Sequence, residues 1–591
     1  MKYMRMAGDY EVKAPGKLLR RAGAMGRRLA WPAVGAFLVT IVATVARLLG
    51  PLVVRSGIDD GVTAGDKATV TRAAIAFLVL LAFQYVAQRV SQHAVAWVGE
   101  QFLLELRSRV YAHLLRLDMA FFDRSKTGVL VSRMTSDIEA LNDFVNEGAV
   151  IALTNILTAV GVAAAMLFVD VQLALVVFAL IVILIGATVV FQHYAGKAYD
   201  KVRERIGRVL AQLQEGIAGV REVQAFTQQP HQAGTFGRMN ESYFDANMQA
   251  ASAISWYFPV VSFLRTLGIG LVILIGGRRV ITGDMTFGSL VAFLMLLEWF
   301  FQPVISLAQV SNLLQASLAA LGKLFSLLDT QPDVIERPGA LELPEQPVGR
   351  LHLVDVSFAY GTGAPVLHDV DIEVPAGQRL AIVGETGAGK STIAKLLMRF
   401  YDPTVGSVTI DGIDLRDLSR SSRAGAVTLI PQEDFLFNGA LRDNFRYGRP
   451  TASDEEIWDV CRAMGISDWV ASLPDGLDTD VRERGSRFSA GERQLVALGR
   501  AFLMDPAVIV LDEATSNLDP ETEVEVEGAL RVLLSGRTAV VIAHRLRSAE
   551  RADRVVLIHD GRLEADGTHD ELVASNPRYR ELVNVWERGL A

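Results

Sequence analysis

The stretch "RLAIVGETGAGKSTIAKLLMRF", Arg379 to Phe400, decides how the C-terminal half of this 591-residue chain folds. A β-branched run, "RLAIV", leads into a glycine-rich turn and then into the helix-like "STIAKLLMRF". Between them, Gly384 to Ser391 spell G-x-x-x-x-G-K-[ST] in the strand, loop and helix setting that phosphate binding requires. Glycines let backbone N–H groups close around phosphates, and the N-terminus of the following helix adds a favourable dipole. The expected cofactors are ATP and Mg²⁺. The binding stretch runs through Gly384, Glu385, Thr386, Gly387, Ala388, Gly389, Lys390, Ser391 and Thr392, with Lys390 reaching the β and γ phosphates and Ser391 ligating the metal.

Further along, "AVIVLDE" is an apolar strand that delivers Asp512 and Glu513 to the phosphate end of a sheet. Asp512 is expected to hold Mg²⁺ and Glu513 to polarise the attacking water. From Leu351 to the end, short β-branched runs such as "LHLVDVSFAY", "SVTIDG", "TAVVIAH" and "RVVLIHDGRL" alternate with helical patterns. That alternation predicts an α/β domain with a largely parallel sheet over residues 351–591. The preceding segment, 328–350, is rich in proline and charge and reads as a linker.

Towards the N-terminus the texture changes. The chain is 51% hydrophobic, and its long apolar runs are concentrated before about residue 310. Six segments approach the ~20 residues that cross a hydrocarbon core. They are Trp31–Val54, Thr71–Val95, Gly148–Phe168, Leu173–Phe191, Ile254–Ile275 and Phe287–Leu307, giving a membrane domain over 31–327. Long, polar, arginine-rich connections around 96–147 and 192–253 read as cytoplasmic, with Arg278 and Arg279 a blemish on the pattern. An even number of spans returns the C-terminal half to the cytoplasm. Residues 1–30 carry no apolar core followed by a small-residue cleavage site, so no cleaved signal is expected, and Lys17–Arg28 read as a helix lying at the membrane surface. A net charge of −8 gives no reason to expect nucleic acid as a partner, and the single cysteine, Cys461, excludes an internal disulfide and reads as a packed core thiol.

Taken together, these residues resemble the half-transporters of the ATP-binding cassette (ABC) exporter type: a polytopic α-helical membrane domain of six transmembrane helices fused to an α/β P-loop NTPase domain. The resemblance implies that Tyr360 in "FAYG" stacks on adenine and that Gln432 in "LIPQEDFLF" senses Mg²⁺. It also implies that Ser516–Asp519 cross a dimer interface and that His544 in "IAHRL" sits at the γ-phosphate. On this reading Lys390, Gln432, Glu513 and His544 are catalytic, and Ser391, Gln432 and Asp512 hold the metal. "FFDRSKTGVLVSRMTSDIEAL" from Phe121 resembles the first coupling segment, and "GIAGVREVQAF" from Gly216 precedes the second.

In that family the signature that closes on the partner's ATP reads L-S-G-G-Q, whereas this chain reads "FSAGE", Phe488 to Glu492. Ser489 and Gly491 are kept. Ala490 adds a Cβ that restricts the backbone and crowds a phosphate, and Glu492 puts a carboxylate near an anionic site. Arg482 in "VRERG" stands where glycine is usual. Intact Walker motifs with a departed signature resemble a subunit of a heterodimeric bacterial multidrug-type exporter, with a homodimer as the alternative. The resemblance implies ATP-driven export of an amphipathic or drug-like compound or a lipid across the plasma (inner) membrane; the alternative is an importer of a metal chelate or siderophore. Charges inside apolar spans are costly and are expected to face a cavity or a partner. Arg47, Arg89, Arg265 and Glu298 are such charges, and Glu298, Arg265, Trp299 and Gln302 are the expected substrate-cavity residues, with Pro303 as a kink.

Overall fold

The computed structural model describes residues 15–432, 434–512, 520–543 and 545–587. The chain divides into two compact units. One is built from the chain up to Leu115 together with Lys126–Thr330, and the other from Arg116–Ser125 together with the chain from Gln331 onward.

The first unit is helical. An amphipathic helix α1 (Pro15–Met25) lies where the surface helix is expected, and its Arg21 is bonded to Asp329 and lies 4.5 Å from the Phe325 ring centroid. Six long helices follow, and each overlaps one of the apolar segments: α2 (Ala30–Ser56), α3 (Lys67–Leu114), α5 (Ala149–Val169), α6 (Val171–Ala218), α7 (Gln229–Thr282) and α8 (Phe287–Leu328), with a short α4 (Met119–Arg124) between the second and third. Among the described residues the first five are long and apolar enough to cross a bilayer, while the apolar part of α8, Phe287–Pro303, is shorter. The starts of α3, α6 and α8 are set by side-chain caps. Asp66, Asp170 and Thr286 accept from the backbone N–H of Ala68, Leu173 and Ser289, satisfying groups that open helix ends leave unpaired. α3, α6 and α7 run 48, 48 and 54 residues, far beyond a bilayer crossing, so much of the long, polar, helix-like connections read in the sequence is helix extension. The blemish at Arg279 resolves as an ion pair, with Nη1 donating to the Asp170 carboxylate at 2.7 Å.

The second unit holds two sheets. In one, β1 (Leu351–Ala359), β2 (Pro365–Val374), β4 (Val405–Ile410) and β5 (Ile413–Asp414) pair in the order β2-β1-β4-β5. In the other, β3 (Arg379–Val383), β6 (Val427–Ile430), β7 (Val508–Asp512), β8 (Thr538–Ile542), β9 (Arg554–His559) and β10 (Arg562–Gly567) pair in the order β10-β9-β3-β8-β7-β6. The pairs from β9 to β6 are parallel, as the alternation predicts. Their residues are buried on both faces, which is why they read as unbroken apolar runs. Cys461 is buried in the apolar cluster of the helical part, and burial pushes its thiol up to about 11, so it is an inert core group.

α4 belongs to this unit although it lies between two membrane helices in sequence. Ala120 is buried in the β1/β2 core cluster, and Asp118 caps α4 through Phe121 N while accepting from the amides of Asp333 and Val334.

Candidate functional site

The parallel sheet puts its C-terminal strand ends on one edge, where a crevice between loops accepts ligands. Ile382 of β3 and Asp512 of β7 are both in register with Ile542 of β8. Asp512 is therefore level with the root of the glycine-rich loop and about 10 Å from it, two strand spacings away.

The loop itself is a backbone cradle. Gly384 has φ +150°, and a Cβ there would meet the Ile558 carbonyl oxygen at 2.1 Å. Gly389 has φ +107°, caps helix α9 (Lys390–Leu397) and lies against Leu367. Only glycine satisfies both constraints. The buried Lys390 turns its ammonium into the loop and donates to the carbonyls of Gly384 at 2.7 Å and Glu385 at 2.9 Å. Ser391 and Thr392 open α9 beside it, with their amides at the positive end of the helix.

Tyr360 is joined to this helix by a 3.0 Å hydrogen bond between its hydroxyl and Thr392 Oγ1. Its ring packs edge-on against Phe358 at 4.8 Å and Tyr401 at 5.2 Å. Asp123 of α4 ties the aromatic group together from outside. Its carboxylate accepts from Lys395 Nζ at 2.9 Å and from the Tyr401 hydroxyl at 2.8 Å, and Lys395 lies 5.6 Å from the Tyr360 ring centroid. Burial opposes ionisation of Asp123, but these two hydrogen bonds outweigh it and hold the carboxyl below its ordinary range. Burial and the same hydrogen bond push the Tyr401 phenol up. Neither Asp123, Lys395 nor Tyr401 was singled out by the sequence, which offers no local signal for partners so far apart.

Gln432 is an exposed bend residue after β6. Glu513, His544 and Ser516–Asp519 lie outside the described residues.

The signature segment has a geometry that the family resemblance did not foretell. Ser489 is the N-cap of helix α10 (Ala490–Met504), with its Oγ accepting from Glu492 N at 3.2 Å. Glu492 Oε2 accepts from Ser489 N at 2.6 Å, completing a capping box, and its Oε1 accepts from Trp469 Nε1 at 2.7 Å. The carboxylate is thus held by its own helix start and an indole. Ala490 is the first helical residue and keeps an ordinary negative φ, so its Cβ adds no backbone restriction there. Arg482 is different. It adopts φ +60°, ψ 177°, a region occupied almost only by glycine, which costs on the order of 1–3 kcal/mol.

Comparison with known proteins matches the ABC transporter transmembrane region to residues 34–304 and the ABC transporter domain to residues 367–516. The Bacillus subtilis ABC transporter ATP-binding protein YknV is 34% identical over 550 residues, 93% of this chain and 91% of that protein. The chain belongs to the ABC transporter family. A multidrug efflux ATP-binding/permease protein of Mycobacterium tuberculosis is 36% identical over 94% of this chain and 46% of its own length. An ATP-dependent lipid A-core flippase of Syntrophus aciditrophicus is 34% identical over 83% of this chain and 81% of its own. A bacterial Atm1-family ABC exporter solved with ATP bound superposes with a TM-score of 0.78 at 27% identity, over 95% of this chain and 100% of that one. This transporter is therefore a membrane-embedded ATPase that binds ATP through its cassette domain.

Beside Gln432 the cassette carries a half-buried carboxyl. Asp434 borders a cavity of about 320 Å³ lined by Phe435, Phe437, Tyr447 and Arg500, and its Oδ1 is buried without a hydrogen-bond partner among the described residues. Arg500 is committed to Phe435 O and to Asn444 O and Oδ1 at 2.6–2.7 Å. Burial pushes the Asp434 carboxyl up to about 7, against the attraction of Arg500 and Arg493. The folded state therefore keeps a proton that the unfolded chain releases above about pH 4, so stability falls as pH rises from 4 through 7. Asp434→Asn removes this loss. The cassette's thermal midpoint in the full-length protein is expected to be several degrees higher than the parent's at pH 8, with the difference shrinking as pH falls towards 4. A parallel pH dependence in the two proteins would contradict the assignment.

In the membrane half, Arg265 on α7 and Glu298 on α8 form an ion pair at 3.6 Å, and Arg47 on α2 lies 4.8 Å from the Trp299 ring centroid. Gln302 is exposed one turn further along α8, and Pro303 lies inside that helix.

Proposed function

We propose that this chain is half of an ATP-driven exporter of an amphipathic, drug-like or lipid compound, set in the plasma membrane with its cassette on the cytoplasmic side. The observation that carries the reading is α4. A segment lying between two membrane helices in sequence is bonded through Asp123 to the helix that follows the phosphate loop. That is the connection a machine converting nucleotide occupancy into helix movement needs. The linker is proposed at 328–350, between the membrane domain and the cassette.

At the site, Tyr360 stacks on adenine, and the loop amides with Lys390 hold the β and γ phosphates. Glu513 orients the attacking water and His544 contacts the γ-phosphate. Ser391 and Asp512 are oxygen donors on one edge of the sheet and fit a hard cation such as Mg²⁺, with Gln432 as a further ligand, and that ion supplies neutralisation of phosphate charge. Ser489 and Gly491 of one half close on the ATP of the other. The strained Arg482 supports a different half as partner, while the capped Glu492 supports a second copy. ATPase activity of the purified chain in lipid nanodiscs, with particle mass and Glu513→Gln as control, tests this. A two-copy particle whose hydrolysis the control abolishes establishes a homodimer; activity restored only by a co-expressed half establishes a heterodimer. Hydrolysis that survives Glu513→Gln sinks the assignment.

A further inference from the structure

The six apolar segments contain four arginines, Arg47, Arg72, Arg89 and Arg265, against one acid, Glu298. Two of these charges are accounted for along α3, at the two ends of its apolar part. Arg72 lies 3.9 Å from Asp66 at the helix start. Arg89 is exposed about 33 Å along the helix, where a long side chain reaches the opposite interface. The others share one level. Glu298 lies about 16 Å into α8 and Arg47 about 13 Å from the same-side end of α2, close to the middle of a ~30 Å core. The 3.6 Å pair puts Arg265 at the depth of Glu298, and Arg47 faces Trp299, the next residue along α8.

Arg265 and Glu298 keep 45% and 70% of their side-chain surface exposed. A charge turned to hydrocarbon at that depth costs roughly 2.5–3.5 kcal/mol, so this level faces a water-filled passage. Within it, two guanidiniums meet one carboxylate that Arg265 already engages. Among the described residues, one positive charge per half is left uncompensated beside an indole. The surplus is carried by arginine, whose planar fork matches carboxylate, phosphate and sulfonate oxygens in pairs.

We propose that the transported compound is an anionic amphiphile, its acidic group received by Arg47 and Arg265 and its apolar body lying along Trp299. The proposal rests on the exporter reading above. Glu298 holds Arg265 in place and weakens its hold on the anion, so that the substrate is bound but released.

The test uses two ions of one shape and opposite charge, tetraphenylborate and tetraphenylphosphonium, added to the full-length transporter in phosphatidylcholine nanodiscs. Tetraphenylborate is expected to alter ATP turnover at a half-maximal concentration at least tenfold below that of tetraphenylphosphonium. Arg47→Gln is expected to raise that concentration tenfold or more and Arg47→Lys to raise it less, while Glu298→Gln lowers it about threefold. Discs containing phosphatidic acid identify the source: competition with tetraphenylborate points to an anionic lipid, and its absence to a soluble organic anion. An equal or stronger response to the phosphonium, ATP turnover that neither ion alters, or Arg47 variants that leave the borate response unmoved would overturn the proposal. Equilibrium binding of both ions to the nucleotide-free protein reads the charge preference without hydrolysis. A chain that binds the anion preferentially but never turns over ATP therefore refutes the exporter reading and leaves only the anion preference of this level standing, whereas a chain that turns over ATP without preferring the anion refutes this proposal alone.

Discussion

Lys390→Ala is expected to lower ATP hydrolysis at least a hundredfold in the full-length transporter. The ammonium is buried and directed into the loop by two carbonyls, Gly384 and Glu385, so it is held in place before nucleotide arrives. A fixed cation in a partly dry site needs little rearrangement when charge develops on the transferring phosphate. Removing one such preorganised donor typically costs 10²–10³ in rate. The fold should be less affected. The two carbonyls lose one donor each, about 1 kcal/mol apiece, and water entering the vacated space replaces part of that loss. Phosphate release and ATP binding measured on the same nanodisc sample separate the two effects. A variant retaining a third or more of the parent rate would show that the loop amides alone carry the phosphates. Lys390→Arg is the sharper form of the experiment, since it keeps the charge but not the compact ammonium that fits between the two carbonyls.

Much of this architecture was legible because the relevant signals are local. A crossing helix declares itself by its own hydrophobic length: each of the six apolar segments falls on a long helix, and among the described residues five of those helices have the length and apolarity to cross. The phosphate loop declares itself because its glycines, lysine and serine are contiguous and flanked by a strand and a helix. The signature is instructive in the opposite sense. Ser489 and Glu492 stand at the spacing of a capping box, a rule readable from four residues, yet the family comparison drew the reading towards phosphate chemistry. Trp469, the other partner of Glu492, lies 23 positions away and belongs to no pattern. Asp434 shows a further limit, because an acid in a polar-looking turn gives no sign that its oxygen will be buried. The Asp123 contacts show the furthest limit. They join residues 272 and 278 positions apart, and nothing in either neighbourhood specifies the other.

Those long-range contacts carry the second large effect. Asp123→Ala is expected to raise the ATP KM about tenfold with a smaller change in kcat, and to lower transport per ATP consumed. The carboxylate holds Lys395 and Tyr401, and Tyr401 is one of the two rings that fix Tyr360 edge-on. Lys395 is on α9, whose first turn carries Ser391 and Thr392, and Thr392 bonds the Tyr360 hydroxyl. One side chain on α4 thus restrains both the aromatic platform proposed for adenine and the helix that receives the phosphates. Hydrogen bonds to a charged group contribute about 1.5–3 kcal/mol when buried. Asp123 and Lys395 each expose about a third of their side chains, so the lower end applies, which is a tenfold change in affinity. Asp123→Asn discriminates a positioning role from mere packing: it keeps an acceptor for the Tyr401 hydroxyl and loses the charge facing Lys395, so its KM should fall between parent and alanine variant. The predicted change is in KM and coupling rather than in melting, because Ala120 keeps α4 in the apolar core without Asp123. Equal KM values in parent and Asp123→Ala, with a lowered melting midpoint, would reduce Asp123 to a local anchor. A raised KM with unchanged transport per ATP would place it in nucleotide binding alone. Loss of both assigns α4 the double duty that its position, a membrane-domain segment built into the cassette, equips it to perform.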